Sequence, residues 1–122
     1  MQLILHTEGW YDASHHLNNY DEKCANVHGH TYKVEVWVKG DSENVDKAGI
    51  LWDFGKLKKV INKYDHQDLN EIYDINSTAE NQCQCIYNEL KQQDKHLYFK
   101  VRVYEQLSPK KSYCECGDFE WK

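Results

Sequence analysis

The segment CANVHGHTY, from Cys24 to Tyr32, sets His28 and His30 one residue apart behind a cysteine. On an extended chain, side chains two positions apart share a face, so these two imidazoles project together. A third candidate stands close upstream, where His15 and His16 are adjacent. Three neutral imidazoles that leave a fourth position open form the donor set of a catalytic Zn2+ site. An isolated HxH pair on a strand usually binds nothing; the third histidine and Cys24 are what favour a metal here. His15 and His16 point opposite ways on an extended chain, and spacing alone leaves open which of them joins the site.

Four other residues carry reactive groups. Cys24 is a small core residue in the bland case, but beside a zinc site its thiolate is favoured and can act as a base or nucleophile. Asp65 and His66 form a carboxylate–imidazole pair, a common arrangement for tuning a proton carrier, although DH in a loop is more often merely solvated. Glu105 ends a run whose other members, Leu97, Phe99, Val101 and Val103, are apolar. A carboxylate on an inward face needs a partner. A ligand with two neighbouring N–H donors, such as an aminopyrimidinone edge, would supply one; the alternative is a strand-end glutamate turned to solvent. His6 and His96 have no such context and read as structural or solvated.

The elements that must position these groups follow from hydrophobic period. Leu3, Leu5 and the stretch from Trp10 to Leu17 read as an extended opening segment. From His28 to Lys39 the chain alternates strictly, placing His28, His30, Tyr32, Val34, Val36 and Val38 on one side of a strand. Gly40 to Gly49 is turn-rich. Residues 53–64 carry Phe54, Leu57, Val60, Ile61 and Tyr64 at helical spacing, with Asp53 expected as the N-cap. After the irregular DHQDLNEIYDIN, a second helix is expected over 77–90, its apolar stripe being Ala79, Cys83, Ile86, Tyr87 and Leu90, with Ser77 and Glu80 at capping-box spacing. The run 96–105 alternates again, and 112–121 follows the Pro109 turn as a last strand. The order ββααββ predicts an α+β domain: an antiparallel sheet with both helices on one face.

The 122 residues fit a single domain spanning 1–122. A core this small often gains stability by oligomerisation. The net charge of −5 and the dispersed basic residues argue against nucleic acid as a partner. No apolar stretch approaches the roughly 20 residues of a membrane span, and the N-terminus lacks the pattern of a secretory signal, so the chain reads as cytoplasmic. Five cysteines in such a setting read as thiols. The pairs Cys83/Cys85 and Cys114/Cys116 invite a structural zinc, but knuckles of that kind usually use CxxC, and on a helix residues two apart diverge.

Taken together, YDASHHL at 11–17, CANVHGHTY, GILWDFGKLK at 49–58, YDHQDLN at 64–70, STAEN at 77–81 and VRVYE ending at Glu105 resemble the family of 6-pyruvoyltetrahydropterin and 6-carboxytetrahydropterin synthases. The resemblance covers nearly the whole chain. It implies the tunnelling fold, in which sheets of several subunits close into a barrel, a hexamer built as two trimers, with active sites between subunits. Its aromatic–AxH–L pattern maps onto Tyr11, Ala13, His15 and Leu17 and so selects His15, with His28 and His30, as the zinc ligands. It further implies Cys24, Asp65 and His66 as catalytic residues, Glu105 as the pterin anchor and Thr78 as a pterin contact. The substrate would be dihydroneopterin triphosphate. The short CxxxHGH spacing and the WDF segment resemble the carboxy branch, whereas Tyr64 before DH and Gln106 after Glu105 depart from the common residues. A pyruvoyl-forming enzyme, a non-catalytic pterin- or metal-binding module and a protein with zinc at the CxC pairs are the rival readings.

Overall fold

The computed structural model describes residues 1–15 and 28–119. Two long strands, β1 (Gln2–His15) and β2 (His28–Asp41), pair antiparallel from Gln2↔Asp41 to His15↔His28. A 3-10 turn at Ser42–Asn44 leads to helix α1 (Gly55–Ile61), then a two-residue strand β3 (Gln67–Asp68), a one-turn helix α2 (Leu69–Ile72) and the long helix α3 (Ala79–Gln93). Strands β4 (Tyr98–Gln106) and β5 (Ser112–Gly117) close the chain. The sheet order is β3-β1-β2-β4-β5, antiparallel throughout except where β3 joins β1 in parallel at Ala13 and Ser14.

Alternation decides the two faces. Tyr11, Tyr32, Val34, Val36, Val38, Phe99, Val101 and Val103 point to one side and are almost wholly buried. They form one core with Leu57, Val60 and Ile61 of α1 and Cys83, Ile86 and Leu90 of α3, so both helices cover the same face as the period predicts. Truncating the central Ile86 to Ala would cost about 2–5 kcal/mol through lost burial and the cavity left behind. The opposite face carries charges instead. There Lys33 Nζ lies 3.1 Å from Glu8 and 3.3 Å from Glu35, Arg102 reaches Glu115 at 2.7 Å, and Lys100 sits over the Trp37 ring at 4.3 Å.

Several local expectations shift. The order contains two short elements, β3 and α2, inside the stretch read as irregular; their pairing with β1 is tertiary and leaves no period in so few residues. Phe54, not Asp53, occupies the cap of α1 and offers no side-chain bond, while Asp53 Oδ1 accepts the N–H of Gly55 at 2.8 Å. The cap of α3 is Thr78, whose hydroxyl accepts the N–H of Asn81 at 3.1 Å, so Ser77 and Glu80 form no capping box. Tyr87 is only partly buried, whereas Gln82 is fully buried on the same helix. The last strand ends at Gly117, whose φ of 151° brings the chain so close to β4 that a Cβ would lie 2.2 Å from the Phe99 carbonyl. Asp118 then turns back, accepting the Phe99 N–H at 2.9 Å.

Candidate active site

The end of the sheet nearest His15 gathers donors from three strands. His15 closes β1, His30 lies early in β2, and Glu105 lies late in β4 on the face that includes Phe99, Val101 and Val103, as its alternation predicts. One ligand atom from each of His15, His30 and Glu105 lies within 4.8 Å of the other two. His30 Nε2 is 3.4 Å from a Glu105 oxygen, and the His15 and His30 rings meet edge-on at 5.0 Å between centroids. Glu105 falls where the β4–β5 register shifts between Tyr104 and Gln106, an irregularity of the kind that re-aims a side chain beside a site. His28 pairs with His15 in the ladder, but its side chain lies outside the described residues, as do Cys24 and His16 entirely.

His15 is 1% exposed and firmly held. Its Nδ1 lies 3.0 Å from the Ser77 carbonyl and 3.1 Å from the Ser77 hydroxyl, and the Tyr32 hydroxyl stands 3.2 Å from Nδ1 and 3.3 Å from Nε2. A carbonyl only accepts, so the proton facing it belongs to Nδ1 and the lone pair to Nε2. An imidazole donating one N–H to a carbonyl while presenting the other nitrogen is the usual outer-shell arrangement of a metal-binding histidine. On donor chemistry, His15 and His30 therefore fit zinc. Ser77, a capping candidate by its spacing, instead meets His15 through its carbonyl, a partner that no residue type announces.

The second group lies on the other side of β1. Asp65 Oδ1 accepts the Asp12 N–H at 2.9 Å, and Asp65 Oδ2 is 3.1 Å from His66 Nδ1. The Asp12 N–H, with His66 beside it, holds the Asp65 carboxyl below the ordinary aspartate range. His66 adopts φ 59°, a left-handed conformation that histidine tolerates better than most residues, and its N–H donates to the Asp12 carbonyl at 2.6 Å. Strain of this kind, roughly 1–2 kcal/mol, persists where surrounding contacts over-determine it. An open cleft of about 550 Å³ has His30 and Thr31 on one wall and Asp12, His66 and Asp68 on another, while Glu105 lines a separate cleft with His30.

The remaining candidates fall away from this cleft. Thr78 is half-buried and spends an acceptor position on its cap, keeping its hydroxyl proton for another partner. His6 stacks on Trp37 with Nε2 3.2 Å from Glu35, and His96 is exposed. The cysteine pairs do not act as pairs: Cys83 Sγ lies 3.4 Å from Cys116 Sγ and donates to the Val101 carbonyl. Among the described residues, neither cluster able to hold a metal contains a cysteine, so nothing supports zinc at the CxC sites. No described helix is long and apolar enough to cross a membrane.

Comparison with known proteins is consistent with this geometry. The family profile described as 6-pyruvoyl tetrahydropterin synthase matches residues 4–116. The 6-carboxy-5,6,7,8-tetrahydropterin synthase of Haemophilus influenzae is 33% identical over 132 residues, covering 86% of this chain and 92% of its own. A dihydroneopterin monophosphate aldolase of Pyrococcus furiosus is 41% identical over 75 residues, 58% of this chain and 60% of the aldolase. The solved structure of Caenorhabditis elegans 6-pyruvoyl tetrahydropterin synthase superposes with a TM-score of 0.75 at 25% identity, over 98% of this chain and 97% of that one.

Proposed function

This chain belongs to the 6-pyruvoyl tetrahydropterin synthase family of pterin-synthesising enzymes, and from that premise we propose that it is a zinc-dependent 6-carboxy-5,6,7,8-tetrahydropterin synthase. It would convert 7,8-dihydroneopterin triphosphate to 6-carboxytetrahydropterin, acetaldehyde and triphosphate, an early step toward queuosine and related deazapurines. The observation that carries this reading is the convergence of His15, His30 and Glu105 from three strands beside a cleft that also receives His66.

His15, His28 and His30 would hold the zinc, which when bound acidifies the hydroxyls of the substrate's side chain. Glu105 accepts two N–H groups of the pterin ring and fixes its orientation, with Thr78 as a further ring contact through its hydroxyl proton. Cys24 removes a proton on one side of the substrate's side chain. Asp65 orients the His66 imidazole through Nδ1, so that Nε2 exchanges a proton on the other side. In a barrel of several subunits the His66 serving a given site belongs to whichever chain lines that cleft. Among the described residues the outer edges of β1, from Gln2 to Trp10, and of β5 pair with no other strand and favour such assembly, as does the exposure of Ile4 and Trp10. The enzyme would act in the cytoplasm.

A second reading of one residue has specific support. Glu105 lies close enough to both imidazoles to be a metal ligand itself. A Glu105→Gln variant separates the two roles: zinc is retained and substrate binding weakened if the glutamate anchors the pterin, whereas zinc is lost if it is a ligand.

The deciding experiment incubates zinc-loaded protein with dihydroneopterin triphosphate and identifies products by mass spectrometry, beside a Cys24→Ala control. Formation of 6-carboxytetrahydropterin with acetaldehyde, abolished in the control, supports the proposal. A pyruvoyl product or an aldolase-type cleavage product would move the chain to a sister activity. Binding of zinc and pterin without turnover would make it a binding module.

A further inference from the structure

Gln82 is a polar residue on an inward stripe. It is 0% exposed, between Ala79, Cys83, Ile86 and Leu90 on α3. A buried amide is costly unless both of its ends are bonded. Here both are: Nε2 donates to the Ser77 carbonyl at 2.6 Å, and Oε1 accepts the Tyr11 hydroxyl at 2.5 Å. Burial pushes the Tyr11 phenol up, so it remains protonated and able to donate. That fixes the amide's orientation, because a flipped amide would set oxygen against the Ser77 carbonyl.

The Ser77 carbonyl lies outside the helical ladder, whose first acceptor is the Thr78 carbonyl, bonded to the Gln82 N–H at 2.9 Å. Its direction is therefore set by side chains. One is the Gln82 amide; the other is the His15 imidazole. The neighbouring Asn81 treats the preceding carbonyl in the same way, donating Nδ2 to Asn76 at 2.8 Å, but only Gln82 leads to a site histidine. Tyr11, Gln82, Ser77 and His15, each at most 1% exposed, thus form a continuous buried chain from the sheet through the helix and back to the sheet.

We propose that Gln82 is a positioning residue for His15, aiming the Ser77 carbonyl so that the imidazole keeps its proton on Nδ1 and turns Nε2 to the metal. The inference rests on the zinc reading above. Outer-shell partners of this kind typically govern metal affinity by about 10–100-fold.

The test uses the full chain and zinc alone. Gln82→Leu, of similar volume, should weaken zinc binding tenfold or more in competition with a chromophoric chelator. In the zinc-free protein, two-bond proton–nitrogen NMR should show His15 wholly protonated at Nδ1 in the parent chain and in mixed tautomers in the variant, a change that simple loosening of the fold would not produce. Tyr11→Phe removes only the hydroxyl that steadies the amide, keeps the ring in the core, and should give a smaller loss in the same direction; it carries the test if Gln82→Leu does not fold. Parental zinc affinity and tautomer in whichever of these variants folds overturns the proposal. His15→Ala, run in parallel, separates the two levels. If it binds zinc like the parent chain, the metal reading itself fails; if it loses zinc while Gln82→Leu does not, only the role of Gln82 fails.

Discussion

His15 and His66 stand on opposite sides of the same strand end and differ in every respect that governs an imidazole. His15 is buried, and its Nδ1 meets a neutral backbone carbonyl. The His66 side chain is 79% exposed, and its Nδ1 meets the Asp65 carboxylate. A neutral partner in a dry setting favours an uncharged ring with a fixed lone pair, which is what a metal needs. A carboxylate partner in a wet setting suits a ring that gains and loses protons against solvent. Two histidines of one sequence thus sit in opposite surroundings, and the different roles proposed for them rest on what their Nδ1 atoms face.

Substitutions can break this contrast. The largest effect is expected from His15→Ala: metal analysis after gel filtration should find no retained zinc, and turnover should fall roughly a thousandfold or more, since metal acidification of a hydroxyl is worth several kcal/mol. His66→Ala should leave zinc stoichiometry unchanged while lowering turnover by about 10²–10⁴-fold, the range for a lost general acid–base group. If instead the second variant lost zinc as well, the two histidines would belong to one site and the contrast would fail.

A finer test is Asp65→Asn, which keeps an acceptor for the Asp12 N–H and removes only the charge beside His66. Because that contact is exposed and screened by solvent, turnover should drop by about fivefold or less. The smallest effect concerns acid stability. The Asp65 carboxyl is held below its ordinary range, so it titrates lower in the folded than in the unfolded chain. Its contribution is present above about pH 4 and is lost as the pH falls through the lowered folded value. Thermal melts of Asp65→Asn should consequently show a shallower loss of stability on acidification than the parent chain, with the two curves parallel above that range.

Much of the fold could be read from the sequence because it follows from one-sided burial. The β2 alternation from His30 to Val38 and the inward place of Glu105 both follow from a period of two over a helix-covered face. Gln82 was open to the same logic, since 79, 82, 83 and 86 form one helical stripe, but its polarity masked it; a glutamine inside such a stripe signals a bonded amide, not an exit from the core. The Ser77 carbonyl left no signal at all, because a backbone group has no residue type. The pairing of β3 with β1, which brings His66 beside Asp12, depends on contacts more than fifty residues apart and on a left-handed turn at a non-glycine residue.

The spread of His15, His30 and Glu105 over β1, β2 and β4 has a consequence for how the protein comes into being. β4 joins β2 only after the chain between them, both core-covering helices included, has been made and folded back, and such distant closures are the slow steps of folding. A ligand held from all three strands, as the proposed pterin would be, cannot nucleate the fold; it would be captured by a sheet already assembled. In refolding experiments such a pterin ligand should therefore leave the folding rate unchanged and slow only unfolding.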